Sequence, residues 1–157
     1  MCVSPTPEQL VQTAMALAAE AAARGDPPFG ALLVSPHGEV VAMASNRQVS
    51  RDDPTAHAEL ELLRAASRGG NRPPLRGYRV AVNAEPCSMC ASALVKAEVG
   101  SLIYGAPHEA HMDPDLGVEE VFSHSRRPPH VTSGVLAEEA AAQIATLRVA
   151  GPVSSPD

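Results

Sequence analysis

Aromatic residues make up only 3% of the 157-residue chain, and tryptophan is absent. A protein that stacks unpaired bases on its surface usually carries more rings than two Phe and two Tyr. The sequence has no run of 18 apolar residues, so we predict no membrane span. The start of the chain has no basic segment followed by an apolar stretch, so we expect no secretory signal and a cytoplasmic protein.

Positive charge and cysteine are also scarce. The chain has 12 Lys and Arg against 18 Asp and Glu, for a formal net charge of -6. An acidic chain repels phosphate backbones on average, so we do not expect a nucleic-acid partner. The three cysteines are Cys2, Cys87 and Cys90. This odd, low count argues against a disulfide framework, and we interpret Cys2 as a bystander.

The length of the chain predicts one domain over 1–157, with a core over about 8–149. The Pro- and Ser-rich tail, 151–157, is expected to fray. Apolar periodicity and turn residues predict five helices over 8–24, 54–67, 88–96, 118–123 and 136–149, and five strands over 30–35, 40–44, 78–83, 101–105 and 131–133. This alternation predicts an α/β sandwich around one sheet. The sheet is mixed because its first two strands form a hairpin.

Two short segments carry the chemistry: His57-Ala58-Glu59 and Pro86-Cys87-Ser88-Met89-Cys90. One His and two Cys can hold Zn2+ with three protein ligands and leave its fourth position open to water. We therefore predict His57, Cys87 and Cys90 as metal ligands. The combined spacing, H-x-E followed by P-C-x-x-C, is typical of zinc-dependent base deaminases.

The predicted helices place these groups where their chemistry is favoured. His57 is expected in the first turn of one helix, and Cys87 and Cys90 at the start of another, where the helix dipole favours thiolate. Three-ligand zinc can lower the pKa of its bound water to roughly 7. Glu59 is too near His57 along the chain to be a natural fourth ligand. We predict that it is the catalytic acid and base, a role typically worth 10²–10⁴-fold in rate.

Two other interpretations of the motif stay open. A C-x-x-C pair in a cytosolic protein can be a redox centre, although the preceding Pro and the upstream H-x-E argue against it. A structural zinc usually takes four protein ligands. Any of four histidines in predicted loops could supply the fourth: His108, His111, His124 or His130.

Nearly the whole chain, from Glu8 to Val149, resembles the cytidine deaminase-like superfamily. The segments 53–59 and 85–90 resemble both bacterial guanine deaminases and bacterial tRNA adenosine deaminases. The resemblance implies a three-layer α/β/α sandwich with a five-stranded mixed sheet. It also implies a zinc cofactor and a homodimer or larger assembly.

The resemblance also implies several substrate contacts. Phe29, between Pro28 and Gly30, would form part of the pocket wall. Asn46 lies where related enzymes use an Asn to hydrogen-bond the base. Ala56 and Ala84 would offer backbone groups to the ring.

The resemblance is ambiguous about the substrate. Residues 28–31 look more like guanine deaminase, whereas 133–140 look more like the tRNA enzyme. Guanine deaminases carry an acidic residue soon after the fourth strand. Here Ala110 occupies that place and Glu109 is adjacent, so Glu109 becomes the candidate. Guanine, another amino-purine, cytosine and a triazine-like base all stay open.

The sequence thus predicts a zinc-dependent hydrolase that deaminates a free nucleobase or nucleoside and releases ammonia. One alternative is a tRNA-specific adenosine deaminase that forms inosine. The acidic loop 107–117 and a closing helix whose one basic residue is Arg148 argue against this alternative, because phosphate binding needs cations. A second alternative is a non-catalytic, zinc-stabilised module.

Overall fold

A five-stranded mixed sheet forms the centre of the computed structural model, which describes residues 3–110 and 112–150. Its strands are β1 (Gly30–Val34), β2 (Val40–Ser45), β3 (Arg79–Ala84), β4 (Ser101–Ala106) and β5 (His130–Thr132). Their order is β2-β1-β3-β4-β5. β1 runs antiparallel to both β2 and β3, and β3, β4 and β5 are parallel. The mixed sheet predicted from the sequence is confirmed.

Helices cover both faces of this sheet. They are α1 (Pro7–Arg24), α2 (Ala58–Arg68), α3 (Ser88–Lys96), α4 (Val118–Ser123) and α5 (Ala137–Val149). One apolar cluster joins the sheet to α1, and a second, smaller one involves α5. A larger cluster joins the opposite face to α2, α3 and α4. The three-layer α/β/α sandwich is therefore confirmed, and β1 is buried along its whole length because it is covered on both faces.

A capping box forms the start of α1. The Thr6 hydroxyl accepts a hydrogen bond from the Gln9 backbone N–H at 3.2 Å, and the Gln9 side chain accepts one from the Thr6 N–H at 2.9 Å. Pro7 occupies the first helical position. Gly25 ends the helix with a φ of 92°, a left-handed conformation that glycine adopts without steric cost.

The start of α2 differs from the prediction. The helix begins at Ala58 and not at Pro54, because Asp53 organises a turn before it. The Asp53 carboxylate accepts hydrogen bonds from the Thr55 N–H at 2.8 Å and from its hydroxyl at 2.7 Å. His57 is consequently the N-cap residue, with extended backbone, and does not lie in the first turn. It remains at the N-terminus of the helix.

Several predictions fall outside the described residues. They concern Cys2, His111 and the tail 151–157. Within 3–110 and 112–150, the structure contains no helix with the length and apolarity that crossing a bilayer requires. The one-domain organisation and the cytoplasmic location stay predictions.

Candidate metal centre and substrate pocket

The N-termini of α2 and α3 meet at one point beside the sheet. His57 is the N-cap of α2, Cys87 is the N-cap of α3, and Cys90 lies in the first turn of α3. The His57 side chain makes no capping hydrogen bond to α2. The ligand atoms of these three residues lie within 4.8 Å of one another. The structure thus brings together the three side chains that the sequence predicted as metal ligands.

The geometry of this group fits zinc. His57 Nδ1 lies 3.5 Å from the Sγ atoms of both Cys87 and Cys90. Zinc bonds of about 2.3 Å to sulfur and about 2.0 Å to nitrogen, at a tetrahedral angle, separate such atoms by about 3.5 Å. Thiolate and imidazole are also the donors that zinc prefers. The residues present therefore match a three-ligand zinc site.

The thiols are arranged so that one of them ionises readily. Hydrogen bonds from Cys90 and His57 lower the pKa of Cys87 to about 4, against the effect of burial. The hydrogen bond to Cys87 and burial raise the pKa of Cys90, which acts as the proton donor within the pair. The hydrogen bond with Cys87 also raises the pKa of His57. A bound cation would favour the deprotonated form of both thiols.

The described part of the chain supplies no fourth protein ligand. The group within 3–110 and 112–150 consists of His57, Cys87 and Cys90 alone. His108 Nε2 pairs instead with Asp115 at 2.6 Å, and His124 and His130 are exposed. A site of this kind keeps a coordination position open, as catalytic zinc sites do.

Glu59 is buried beside the metal group. Only 6% of its surface is exposed, and burial raises the pKa of its carboxyl group above the usual range. It lies outside the cluster of metal-ligating atoms. A carboxyl group with a raised pKa, next to an open metal position, can both accept and donate a proton near neutral pH.

A cavity connects this chemistry to the surface. The inner part, about 50 Å³, is enough for a few water molecules, and His57, Cys87 and Glu59 form part of its wall. It opens into an outer depression of about 480 Å³, and Phe29 and His57 line both parts. Another concavity of about 450 Å³, between α3 and α4, contains neither the metal group nor Glu59. We attribute no chemistry to it.

The predicted substrate contacts differ in their placement. Phe29, Asn46 and Ala84 line the inner cavity. Ala56 is fully buried, and its carbonyl oxygen accepts a hydrogen bond from the Arg47 N–H at 2.9 Å. Neither Ala56 nor Glu109 is among the residues that line the inner cavity. Their contact with substrate stays a prediction.

Glu109 forms an ion pair at the mouth of the depression. Both carboxylate oxygens accept hydrogen bonds from Arg148 Nη1 at 3.0 Å. The Arg148 guanidinium lies 5.6 Å from the centroid of the Phe29 ring, a distance at which a cation and a ring attract. The pair joins the loop after β4 to the last turn of α5, and Phe29 and Arg148 both line the depression.

Two residues at this site were not predicted from the sequence. Gln48 and Met112 line both parts of the cavity. Gln48 had a signal, because it lies two residues from Asn46 in the same polar loop, whereas nothing in the sequence pointed to Met112. Glu85 lines the inner cavity and accepts a hydrogen bond from the Tyr104 hydroxyl at 2.6 Å. Its second oxygen, Oε2, is buried without a hydrogen bond and lies 3.7 Å from His108 Nδ1.

Comparison with known families gives a match over residues 4–106. The matching family model describes the cytidine and deoxycytidylate deaminase zinc-binding region. The tRNA-specific adenosine deaminase of Haemophilus influenzae is 33% identical over 142 residues, which cover 88% of this chain and 81% of that protein. The chain also matches tRNA(Ile)-lysidine synthases of Deinococcus radiodurans and Deinococcus deserti, but it spans only 22% and 26% of their lengths.

Solved structures agree with these sequence matches. One solved structure is 35% identical to this chain, with a TM-score of 0.76. It comes from studies of A-to-I editing by tRNA:A34 deaminases at the wobble position of transfer RNA. The match covers 85% of this chain and 97% of that one. The guanine deaminase of Nitrosomonas europaea is 24% identical with a TM-score of 0.79, over 94% of this chain and 87% of that one. This second likeness concerns the fold alone.

Proposed function

The chain belongs to the cytidine and deoxycytidylate deaminase zinc-binding family, and from that premise we propose that it hydrolytically deaminates a free nucleobase or nucleoside. The observation that carries the proposal is that buried Glu59 lines the same small cavity as His57 and Cys87, which form the metal-ligating group together with Cys90. When bound by these three side chains, zinc lowers the pKa of a coordinated water and so supplies a nucleophile at neutral pH.

Glu59 performs the proton transfers in this proposal. Its carboxylate takes a proton from the attacking water and passes it to a ring nitrogen of the base. A second transfer protonates the exocyclic amine, which leaves as ammonia while the ring keeps the oxygen. The balance is one water consumed and one ammonia released for each amine replaced by a carbonyl. Burial of Glu59 keeps its pKa high enough for the protonated form to act as an acid.

The charges around the outer depression favour a small, neutral substrate. Asp26 and Arg148 are the ionic side chains that line it, apart from His57. Asp26 is paired with Arg24 at 3.2 Å, and Arg148 is paired with Glu109. Among the described lining residues, no cation is therefore left for a phosphate group. The wall instead offers Phe29 and Met112 for contact with a flat ring.

A second candidate function is deamination of adenosine in tRNA. Relatives that bear this name match most of the chain, and the structure also has a concavity that is rich in arginine. Arg24, Arg47, Arg51 and Arg68 line this concavity, together with Glu20 and Glu61. In the described structure, the side chains of Arg47 and Arg68 have no ionic partner, so they could contact a phosphate backbone.

One panel experiment separates these functions. Zinc-loaded protein is incubated with guanine, adenine, cytosine, their nucleosides, a triazine amine and an anticodon stem-loop RNA. Ammonia release and inosine formation are measured. Ammonia from a free base or nucleoside supports the first proposal, whereas inosine in the RNA alone supports the second. Zinc binding without turnover on any member of the panel would favour the non-catalytic module and overturn both.

The Arg47→Glu and Arg68→Glu variants sharpen the comparison. If RNA is the substrate, the double variant should weaken RNA binding and flatten its salt dependence. If a free base is the substrate, its KM should stay unchanged, because neither arginine lines the depression. The homodimer implied by the family resemblance is a further proposal. Sedimentation equilibrium tests it.

A further inference from the structure

Two hydrogen bonds connect Gln48 and Asn46 at the wall of the pocket. The backbone N–H of Gln48 donates to Asn46 Oδ1 at 2.8 Å. Asn46 Nδ2 donates to Gln48 Oε1 at 2.6 Å. Both residues line the inner cavity, and Gln48 also lines the outer depression. Asn46 is almost fully buried, and Gln48 is half-buried.

These two bonds fix the orientation of both side-chain amides. A backbone N–H can only donate, so the Asn46 atom that faces it must be the oxygen. Asn46 Nδ2 is then the atom that faces Gln48, and the Gln48 atom that receives its bond must be Oε1. Gln48 Nε2 must therefore point away from Asn46, and it has no hydrogen-bond partner within the described residues. Its two N–H donors remain available at the pocket wall.

We propose that Gln48 is a specificity-determining residue that selects bases with a hydrogen-bond acceptor facing the loop 46–56. This inference rests on the proposed function, since it assigns a role within the same pocket. Gln48 Nε2 donates to that acceptor, while Gln48 Oε1 keeps Asn46 in the orientation that presents its second N–H to the ring. The acceptor is a ring nitrogen or a carbonyl oxygen on an edge of the base away from the departing amine.

The chemistry of the donor defines the substrate class. Amino-purines carry unprotonated ring nitrogens on both rings, so one edge can meet Gln48 while the amine faces the metal group. An analogue with C–H in place of that nitrogen leaves a desolvated donor unpaired. Sites built around such a hydrogen bond discriminate strongly against analogues that lack it. The structure therefore favours an aminated purine or a similarly nitrogen-rich ring.

Two variants remove the N–H donors of the Gln48 amide. Gln48→Glu keeps an oxygen that accepts from Asn46 but loses the N–H donors. Gln48→Met has a similar size and loses both functions. We expect KM for the amino-purine substrate to rise about 10- to 100-fold in both variants, with a smaller change in kcat. Thermal unfolding of each variant verifies that the fold is intact.

The decisive readout combines the variants with modified ligands. Wild-type and Gln48→Met proteins, both zinc-loaded, are titrated calorimetrically with purine and with its 3-deaza and 7-deaza analogues. These ligands lack an amine, so turnover is not required and the result does not depend on the panel experiment. Wild type should bind one deaza analogue at least tenfold more weakly than purine, and the variant should bind all three alike. Equal discrimination by the two proteins, or no binding by either, overturns the role of Gln48.

Discussion

Asp26, just after the end of α1, accepts two hydrogen bonds from Ser50, one from its backbone N–H at 2.8 Å and one from its hydroxyl at 2.9 Å. The Val49 N–H donates to the same carboxylate at 3.0 Å, and Arg24 Nε at 3.2 Å. Asp26 therefore connects the end of α1 to the loop that contains Asn46 and Gln48. The substrate wall depends on this buried carboxylate.

Replacement of Asp26 by Asn should destabilise the protein by about 2 kcal/mol, because a buried charge-assisted network loses its acceptor charge. Burial alone would raise the pKa of Asp26, but the hydrogen bonds from Ser50 and the pairing with Arg24 outweigh it and lower the pKa. The native pKa thus lies below the unfolded value of about 3.9. The stabilisation is present above that value and is lost as the pH falls towards the native pKa.

Urea unfolding between pH 2.5 and 7 measures this effect. Wild type should lose stability below about pH 4 more steeply than Asp26→Asn, since the variant lacks the titrating group. Asp52→Asn, an exposed change in the same loop, is the matched control and should follow wild type. If the free energy of unfolding of wild type and of Asp26→Asn changed in parallel with pH, the carboxylate of Asp26 would not be the source of this pH dependence.

We predict that Asn83 holds the backbone on both sides of Phe29 and so positions Phe29 in the wall of the cavity. The Asn83 side chain is fully buried, accepts from the Gly30 N–H at 2.9 Å and donates to the Pro28 carbonyl at 3.0 Å. Asn83→Ala leaves both backbone groups unpaired, so we expect a loss of about 2 kcal/mol in the free energy of unfolding and a raised KM. Chemical denaturation and steady-state kinetics measure the two effects.

Asn71→Ala serves as the comparison for that variant, because Asn71 accepts one hydrogen bond from the Tyr78 hydroxyl at 3.2 Å and lines neither part of the cavity. It should change stability less and leave KM as in wild type. A fully stable Asn83→Ala protein with an unaltered KM would show that the two bonds do not support the wall.

Local sequence signals were enough to predict most of the fold. α3 and α4 have the predicted bounds, and the capping box at Thr6 set the start of α1. The start of α2 was wrong because an aspartate turn at Asp53 competes with helix formation. The strand order β2-β1-β3-β4-β5 depends on packing between distant segments, which apolar periodicity does not encode. The apolar pattern supplied the number of strands, and the family resemblance gave the same number.

The site was predictable where a motif fixes the chemistry. The zinc cofactor is confirmed by the family match and by the convergence of His57, Cys87 and Cys90. The pairing of Glu109 with Arg148 was not predictable, because it joins residues that are 39 positions apart in the chain. Gln48 was missed because its orientation is set by hydrogen bonds that form only in the folded loop.

Removal of one metal ligand should abolish zinc binding at stoichiometric levels. Cys90 is fully buried in the group, so Cys90→Ser replaces a preferred sulfur donor with a weaker one. We expect wild type to hold about one zinc per chain and the variant far less, with a lower melting temperature because bound metal stabilises the folded state. Atomic emission and thermal unfolding measure both.

Cys2→Ser is the matched control for that experiment, since Cys2 lies outside the C-x-x-C motif. It should retain the zinc content of wild type. Full zinc occupancy in Cys90→Ser would mean that the metal is held elsewhere, and the proposed ligand set would then be wrong.

The most direct test of the central claim is ammonia release by zinc-loaded wild type and Glu59→Gln, measured on the best substrate from the panel with zinc content determined for each sample. Gln has the size of Glu but cannot carry the proton between water and ring. We expect equal zinc content in the two proteins and a fall in kcat of roughly 10²–10⁴-fold in the variant. Undiminished turnover by Glu59→Gln, with zinc still bound, would contradict the central claim.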